Sequence, residues 1–156
     1  MSNYKMQIWD YSKLDKNIKV VFVSAEFNRD FTKALEDVNE KLLNDNWFNN
    51  VEKFLVPGAY EIPAFVKLVK QKLNPDLIIC FWVVIRWETT HYEMVAWESA
   101  RWIMNISIED NTSTAYINWI LTCENEEQVK ARISSTYALS GLNLLAERKK
   151  VKNLKK

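Results

Sequence analysis

The sequence predicts an α/β fold, a three-layer sandwich in which helices cover both faces of a four-stranded parallel sheet. Three observations carry that reading. Four short β-branched or apolar runs alternate with four longer amphipathic stretches along the 156 residues. The third run, residues 76–85 (DLIICFWVVI), is apolar almost throughout, as expected of a central strand buried on both faces. A composition 48% hydrophobic and 26% charged, at this length, is that of one globular domain and excludes a disordered or fibrous chain.

The elements follow in order. Residues 18–24 (IKVVFVS) form a strand that ends in a polar turn. A helix over 30–46 places Phe31, Leu35, Val38, Leu42 and Leu43 at helical spacing. A second strand, 51–56, is closed by Pro57-Gly58. The next helix, 62–73, holds Pro63 in its first turn and sets Ile62, Phe65, Val66, Val69 and Leu73 on one face. After the central strand comes a long helix from His91 to about Glu109. A fourth strand spans 115–121, and one last helix spans 125 to about 150, with Asn125 and Gln128 in capping-box spacing. Parallel strands joined by right-handed crossovers give a flavodoxin-like sheet, whose ligands sit outside the carboxyl ends of the strands. The whole chain, 1–156, reads as one domain, with an N-terminal extension over 1–17 and a basic tail over 147–156.

A net charge of +1 gives no global electrostatic case for nucleic acid or an anionic membrane as the main partner. No apolar run reaches the roughly 18 residues of a membrane span, and the first residues lack signal-peptide order, which points to the cytoplasm. Cys80 and Cys123 lack metal-ligand spacing and read as reduced, buried thiols. The tail carries six basic residues in ten, a pattern of a solvated helix end before a nucleic-acid patch.

The strand ends concentrate the chemistry. Phe27 stands after the first strand, as a ligand platform or a core lid. Glu61 follows Pro57-Gly58-Ala59-Tyr60 in a first helical turn, where a carboxylate either meets a ligand or favours the helix dipole. Arg86-Trp87-Glu88-Thr89-Thr90-His91 opens the long helix, so backbone N–H groups and hydroxyls converge where an anion could bind. His91, the only histidine, suits proton transfer near neutral pH and equally a structural place at a helix start. Arg132 lies on a mixed face of the last helix, where a solvated arginine is the default. The residue chemistry by itself reaches a small-molecule site, with room for a phosphate.

The stretches Val56-Pro57-Gly58-Ala59-Tyr60-Glu61-Ile62-Pro63 and Val83-Val84-Ile85-Arg86-Trp87-Glu88-Thr89-Thr90-His91-Tyr92 resemble the two signatures of the 6,7-dimethyl-8-ribityllumazine synthase family. The similarity runs from about Ile18 to Leu145. It implies a cofactor-independent condensation of 5-amino-6-(D-ribitylamino)uracil with 3,4-dihydroxy-2-butanone 4-phosphate, releasing phosphate and water. By that resemblance Phe27 stacks on the pyrimidine, while Ala59, Tyr60 and Glu61 hold the ribityl side. Val83, Val84 and Ile85 line the ring, Glu88 and Thr89 lie at the phosphate-bearing substrate, His91 moves protons, and Arg132 supplies a cation. It also implies a homo-oligomer of pentamers, up to an icosahedral capsid, in which Asn118 and Arg132 face a site completed by a neighbouring subunit. Ser140 replaces a lysine common before the family's glycine, and Asn118 stands where an apolar ring is frequent. The rival reading is a catalytically silent, shell-forming or ligand-binding homologue. A flavodoxin-type electron carrier is disfavoured because Ala25-Glu26-Phe27 is not a phosphate loop.

The glycine count is abnormal: 2, where the usual usage gives about 11. Tryptophan appears 7 times, and Trp82, Trp87, Trp97, Trp102 and Trp119 stand where the resemblance expects glycine. Two glycines and seven tryptophans make nine, which suggests UGA codons meaning glycine but written as Trp. Trp47, after a helix, suits a C-cap glycine. The expectation is that literal tryptophans overpack the fold, at about 1–3 kcal/mol each.

Overall fold

The structure, a computed structural model, describes residues 6–86, 90–110 and 114–154, and at 119 and 120 the backbone alone. Its strands are β1 (Val20–Ala25), β2 (Val51–Val56), β3 (Leu77–Ile85) and β4 (Ala115–Cys123). Its helices are α1 (Arg29–Asp45), α2 (Ile62–Leu73), α3 (His91–Glu109), α4 (Glu126–Lys130) and α5 (Thr136–Lys152), with one 3₁₀ turn at Ala59–Glu61. The sheet is parallel, in the order β2-β1-β3-β4.

Side chains alternate across the strands and build two cores. Val20 and Phe22 of β1 with Leu77, Ile79 and Phe81 of β3 face α1 and α5, where they meet Leu35, Leu43, Tyr137, Ala138 and Leu142. Val21 and Val23 with Ile78, Cys80 and Trp82 face α2 and α3, against Ile62, Val66, Val69, Ala96 and Ile103. The unbroken apolar character of β3 is thus the demand of two separate cores. Burial from water also pushes the Cys80 thiol up to about 12, so it stays protonated.

Two expectations are corrected. The single last helix is two, α4 and α5, because Ile133-Ser134-Ser135 interrupts it with residues whose short side chains compete with helical bonding. At its start one half of the expected capping box is present, Asn125 Oδ1 accepting from the Gln128 N–H at 3.0 Å, while Gln128 Oε1 accepts from the N–H of Glu124, one residue before the cap, at 3.1 Å. On α1, the fully packed face is half polar: Thr32, Glu36 and Asn39 are buried beside Leu35 and Leu43, and Val38 and Leu42 sit at its margin. Thr32 Oγ1 donates to the Ala25 carbonyl at 2.9 Å, and Arg29 grips Glu36 with two bonds of 2.6 and 3.0 Å.

The tryptophans divide. Trp82 is 1% exposed and its indole Nε1 donates to Asn118 Oδ1 at 2.8 Å, so it is accommodated. Trp97 is 75% exposed and Trp102 is half exposed, so neither crowds its own chain. The overpacking expectation fails at these three positions, because one indole has a satisfied pocket and two project outward; Trp87 and the Trp119 side chain lie outside the described residues. Trp47 is different. It has φ 69°, and its N–H donates to the Asn44 carbonyl at 2.9 Å while Phe48 donates to Leu43 at 3.0 Å. That is a Schellman ending, with Phe48 packed in the same core as Leu43, and the residue at the left-handed position is ordinarily glycine.

Below the sheet, Asp110 ties three elements together. Its carboxylate accepts from the Thr114 N–H at 2.9 Å and pairs with Lys70 of α2 at 3.0 Å, and Lys70 also donates to Thr114 Oγ1 at 2.7 Å. Burial alone would raise the Asp110 pKa, but the Thr114 N–H and the Lys70 ammonium outweigh it and hold the carboxyl below its ordinary value.

Two outcomes follow for stability. Trp47→Gly should stabilise the chain by about 1 kcal/mol in urea unfolding, because the left-handed backbone strain is removed and an exposed ring is all that is lost; no gain would contradict the strain argument. Asp110 contributes stability that is present above the ordinary carboxylate pKa and is lost as pH falls through its lowered folded value. Asp110→Asn should therefore flatten the acid limb of a stability-against-pH curve below roughly pH 4, and an unchanged limb would count against it.

Candidate functional site

In this strand order β1 and β3 are neighbours, yet the helices that follow them leave on opposite faces of the sheet, α1 on one and α3 on the other. A crevice must open between the two departing connections. The structure has a cleft of about 1300 Å³ there, at the carboxyl ends of β1, β2 and β3.

Each wall has a local cause. Phe27 lies in the β1–α1 connection, where the Glu26 N–H donates to the Val56 carbonyl at 2.7 Å and the Phe27 N–H to the Pro57 carbonyl at 3.0 Å. Asn28, next in sequence, adopts φ 60°, a conformation asparagine tolerates, and its side-chain amide donates to the Val83 carbonyl at 2.9 Å. One side chain thereby ties the segment bearing Phe27 to the strand that floors the cleft. The ring of Phe27 is left exposed over the opening.

The second wall is the 3₁₀ turn Ala59–Glu61 leading into α2, whose Pro63 belongs to the first helical turn, where a missing N–H costs nothing. Gly58 makes room for the Glu61 carboxylate: a Cβ there would lie 3.0 Å from Glu61 Oε2. The floor is Val83, Val84 and Ile85 at the end of β3. His91 is the first residue of α3 and is exposed to the opening.

Arg86 stands at the mouth between two carboxylates, Glu93 at 2.8 Å and Glu124 at 3.3 Å, with its guanidinium over the Tyr92 ring. The hydrogen bond this guanidinium donates to Glu93 and the charge of Glu124 hold it protonated, with its pKa raised. Its charge is matched within the chain.

Of the residues expected from sequence, Phe27, Ala59, Tyr60, Glu61, Val83, Val84, Ile85 and His91 all line this one cleft. Glu88 and Thr89 lie outside the described residues. Asn118 and Arg132 are not among its lining residues. Asn118 gives its side-chain oxygen to Trp82, and Arg132 donates from Nη1 to the Gln128 carbonyl at 2.9 Å. Arg132 nevertheless stands close to the end of β4: burial pushes the Cys123 thiol up, and the Arg132 charge pulls it the other way.

The match to known proteins agrees with this geometry. The family model described as 6,7-dimethyl-8-ribityllumazine synthase matches residues 17–147. The chain belongs to the 6,7-dimethyl-8-ribityllumazine synthase family. A protein of that name from Methylibium petroleiphilum is 33% identical over 141 residues, covering 85% of this chain and 86% of its own length. One from Sphingopyxis alaskensis is 38% identical over 117 residues, covering 75% and 80%. One from Campylobacter jejuni is 30% identical over 145 residues, covering 92% and 93%.

For this member of the lumazine synthase family the cleft is lined, beyond the residues singled out from sequence, by Ala25, Pro57, Gly58, Arg86, Tyr92, Met94, Val95 and Glu124. Pro57, Gly58, Arg86 and Tyr92 belong to the two motifs read from the sequence, and Ala25 and Glu124 had a signal too, since they are the residues at which β1 and β4 run out. Met94 and Val95 show only a helical pattern, and that α3 turns this part of its first turns toward the cleft is a tertiary fact. Among the described residues, no group of three His, Cys, Asp or Glu is placed to hold a metal ion, and no helix is long and apolar enough to cross a membrane.

Proposed function

We propose that this chain is a cofactor-independent transferase that condenses 5-amino-6-(D-ribitylamino)uracil with 3,4-dihydroxy-2-butanone 4-phosphate. The observation that carries the reading is the convergence, on one cleft at the β1/β3 switch point, of an exposed ring, a carboxylate and a histidine from three different connections. In this reading Phe27 stacks on the pyrimidine, Glu61 accepts from ribityl hydroxyls beside Ala59 and Tyr60, and Val83–Ile85 present backbone groups to the ring edge. The amine of the pyrimidine attacks the butanone carbonyl to give a Schiff base with loss of water; phosphate then leaves by β-elimination, and the ribityl-bearing nitrogen attacks the remaining carbonyl and closes the second ring with loss of a second water. His91 relays protons in these steps, and the protein otherwise works by holding two substrates in register. Glu88 and Thr89 would meet the phosphate-bearing substrate at the start of α3.

The cation for that phosphate is assigned to Arg132 of an adjacent subunit. Arg86, the guanidinium inside the cleft, is already bound by Glu93 and Glu124, whereas Arg132 is not among the residues that line its own chain's cleft. A homo-oligomer built from pentamers, closing in its largest form into an icosahedral capsid, provides such a neighbour. The outer face of α3 supports assembly: Met94, Met104 and Ile108 form an exposed apolar stripe. As a member of this family the chain is assigned to the cytoplasm.

We further propose that the tryptophans at family glycine positions are glycines in the cell, encoded by UGA. Trp47 in its left-handed C-cap supports this most directly, with the glycine and tryptophan counts beside it. At position 82 a glycine would also release the Asn118 side chain from its indole partner.

Incubation with both substrates should produce fluorescent lumazine, and His91→Ala should slow its formation by about 10²-fold or more with assembly intact. No lumazine from the correctly coded protein would sink the assignment, and a change under about tenfold would remove His91 from proton transfer. Light scattering at micromolar concentration should give a pentamer or a multiple of one; a fully active monomer would refute the shared site. Reading the gene should find UGA at 47, 82, 87, 97, 102 and 119, and UGG there would end the recoding proposal.

A further inference from the structure

Asn39 is a fully buried asparagine in the middle of α1, a place where its side chain ordinarily competes with the helix. Every hydrogen-bonding atom of the side chain is engaged. Nδ2 donates to the Leu35 carbonyl one turn back at 2.8 Å and to the Ser134 carbonyl at 2.9 Å, and Oδ1 accepts from the Ala138 N–H at 2.7 Å. The last two partners lie 95 and 99 residues away.

The start of α5 depends on this contact. Its N-cap, Ser135, makes no side-chain cap bond, and Ala138 is the third residue of the helix, whose N–H a capping side chain would normally take. Asn39 does that work from another helix. By also holding the Ser134 carbonyl, it anchors the downstream end of the segment that bridges α4 and α5. The upstream end is held by the Arg132 N–H on the Val129 carbonyl at 2.9 Å, and by Arg132 Nη1 on the Gln128 carbonyl. Arg132 therefore sits on a short bridge pinned on one side by α4 and on the other by Asn39.

We propose that Asn39 is a positioning residue for Arg132, fixing the bridge from which the guanidinium reaches the phosphate of a substrate. The inference rests on the assignment of Arg132 made above. An apolar side chain of similar size would fill the core with less cost to α1, but would leave the Ser134 carbonyl and the Ala138 N–H without partners.

The test is steady-state kinetics on assembled protein, with Asn39→Asp, Asn39→Ser, Arg132→Ala and the Asn39→Ser/Arg132→Ala double variant. The aspartate keeps the acceptor for Ala138 and loses the donor to Ser134; the serine is uncharged and serves if a buried carboxylate unfolds the chain. Each Asn39 variant should raise the KM for the butanone phosphate roughly five- to twentyfold, with kcat and the KM for the pyrimidine within about twofold. In the Arg132→Ala background the serine variant should add nothing further. A comparable added rise in that background, an equal rise in both KM values, or an unchanged KM would overturn the inference. If wild-type protein makes lumazine and Arg132→Ala leaves the KM unchanged, the assignment of Arg132 falls, and this inference with it.

Discussion

Everything at the site depends on one topological constraint: two adjacent parallel strands whose following helices must lie on opposite faces of the sheet. A parallel sheet covered on both faces has no free surface along its strands. The place where neighbouring connections diverge is the one location at which strand-end backbone, a helix N-terminus and side chains from several loops can meet a ligand together. Phe27 and His91 line one cleft because β1 feeds α1 and β3 feeds α3. Asn28 ties the β1–α1 connection to β3 through the Val83 carbonyl.

The layer behind the cleft is held by polar contacts as much as by apolar area. Between α1 and α5 the packing is interrupted by Asn39, and farther along α5 the Tyr11 hydroxyl donates to Asn143 Oδ1 at 2.5 Å. A buried polar side chain left half-satisfied costs about 1–3 kcal/mol, so these contacts specify one arrangement of the layer rather than add simply to its stability. They also keep α5 in register with the sheet. Gly141 lies so close to β3 that a Cβ there would meet Leu77 at 2.7 Å, an approach that permits little sliding.

How much of this was legible in the sequence follows the same physics. The run 76–85 announced a doubly covered strand because apolar residues on both of its faces leave no other reading. Helix α2 was legible from Pro63 and its apolar stripe, and the residues that line the cleft at the ends of β1, β2 and β3 were legible because strand ends are where parallel sheets leave a crevice. The division of α4 from α5 had a local signal in Ser134-Ser135, but the contact that holds the break, Asn39 reaching Ser134 across 95 residues of sequence, is not written in any local pattern. Nor is the polar face of α1, because periodicity counts apolar residues and cannot see that Thr32 and Asn39 have partners waiting. The tryptophans show both outcomes: position 47 had a local signal that the backbone bears out, while the pocket that accepts Trp82 could not be inferred from the strand alone.

The central claim is a cleft whose proton relay and whose phosphate cation come from two different chains, and mixing two crippled variants tests it most directly. His91→Ala and Arg132→Ala proteins, each strongly impaired alone at a butanone phosphate concentration well below the raised KM of the Arg132 variant, would be unfolded, mixed in equal amounts and reassembled, and lumazine formation measured at that concentration. If sites are shared around a ring, about a quarter should receive His91 from one chain and Arg132 from its neighbour, restoring roughly a quarter of wild-type activity. Activity that stays at the level of the separate variants, in assemblies shown to be mixed, would contradict the account.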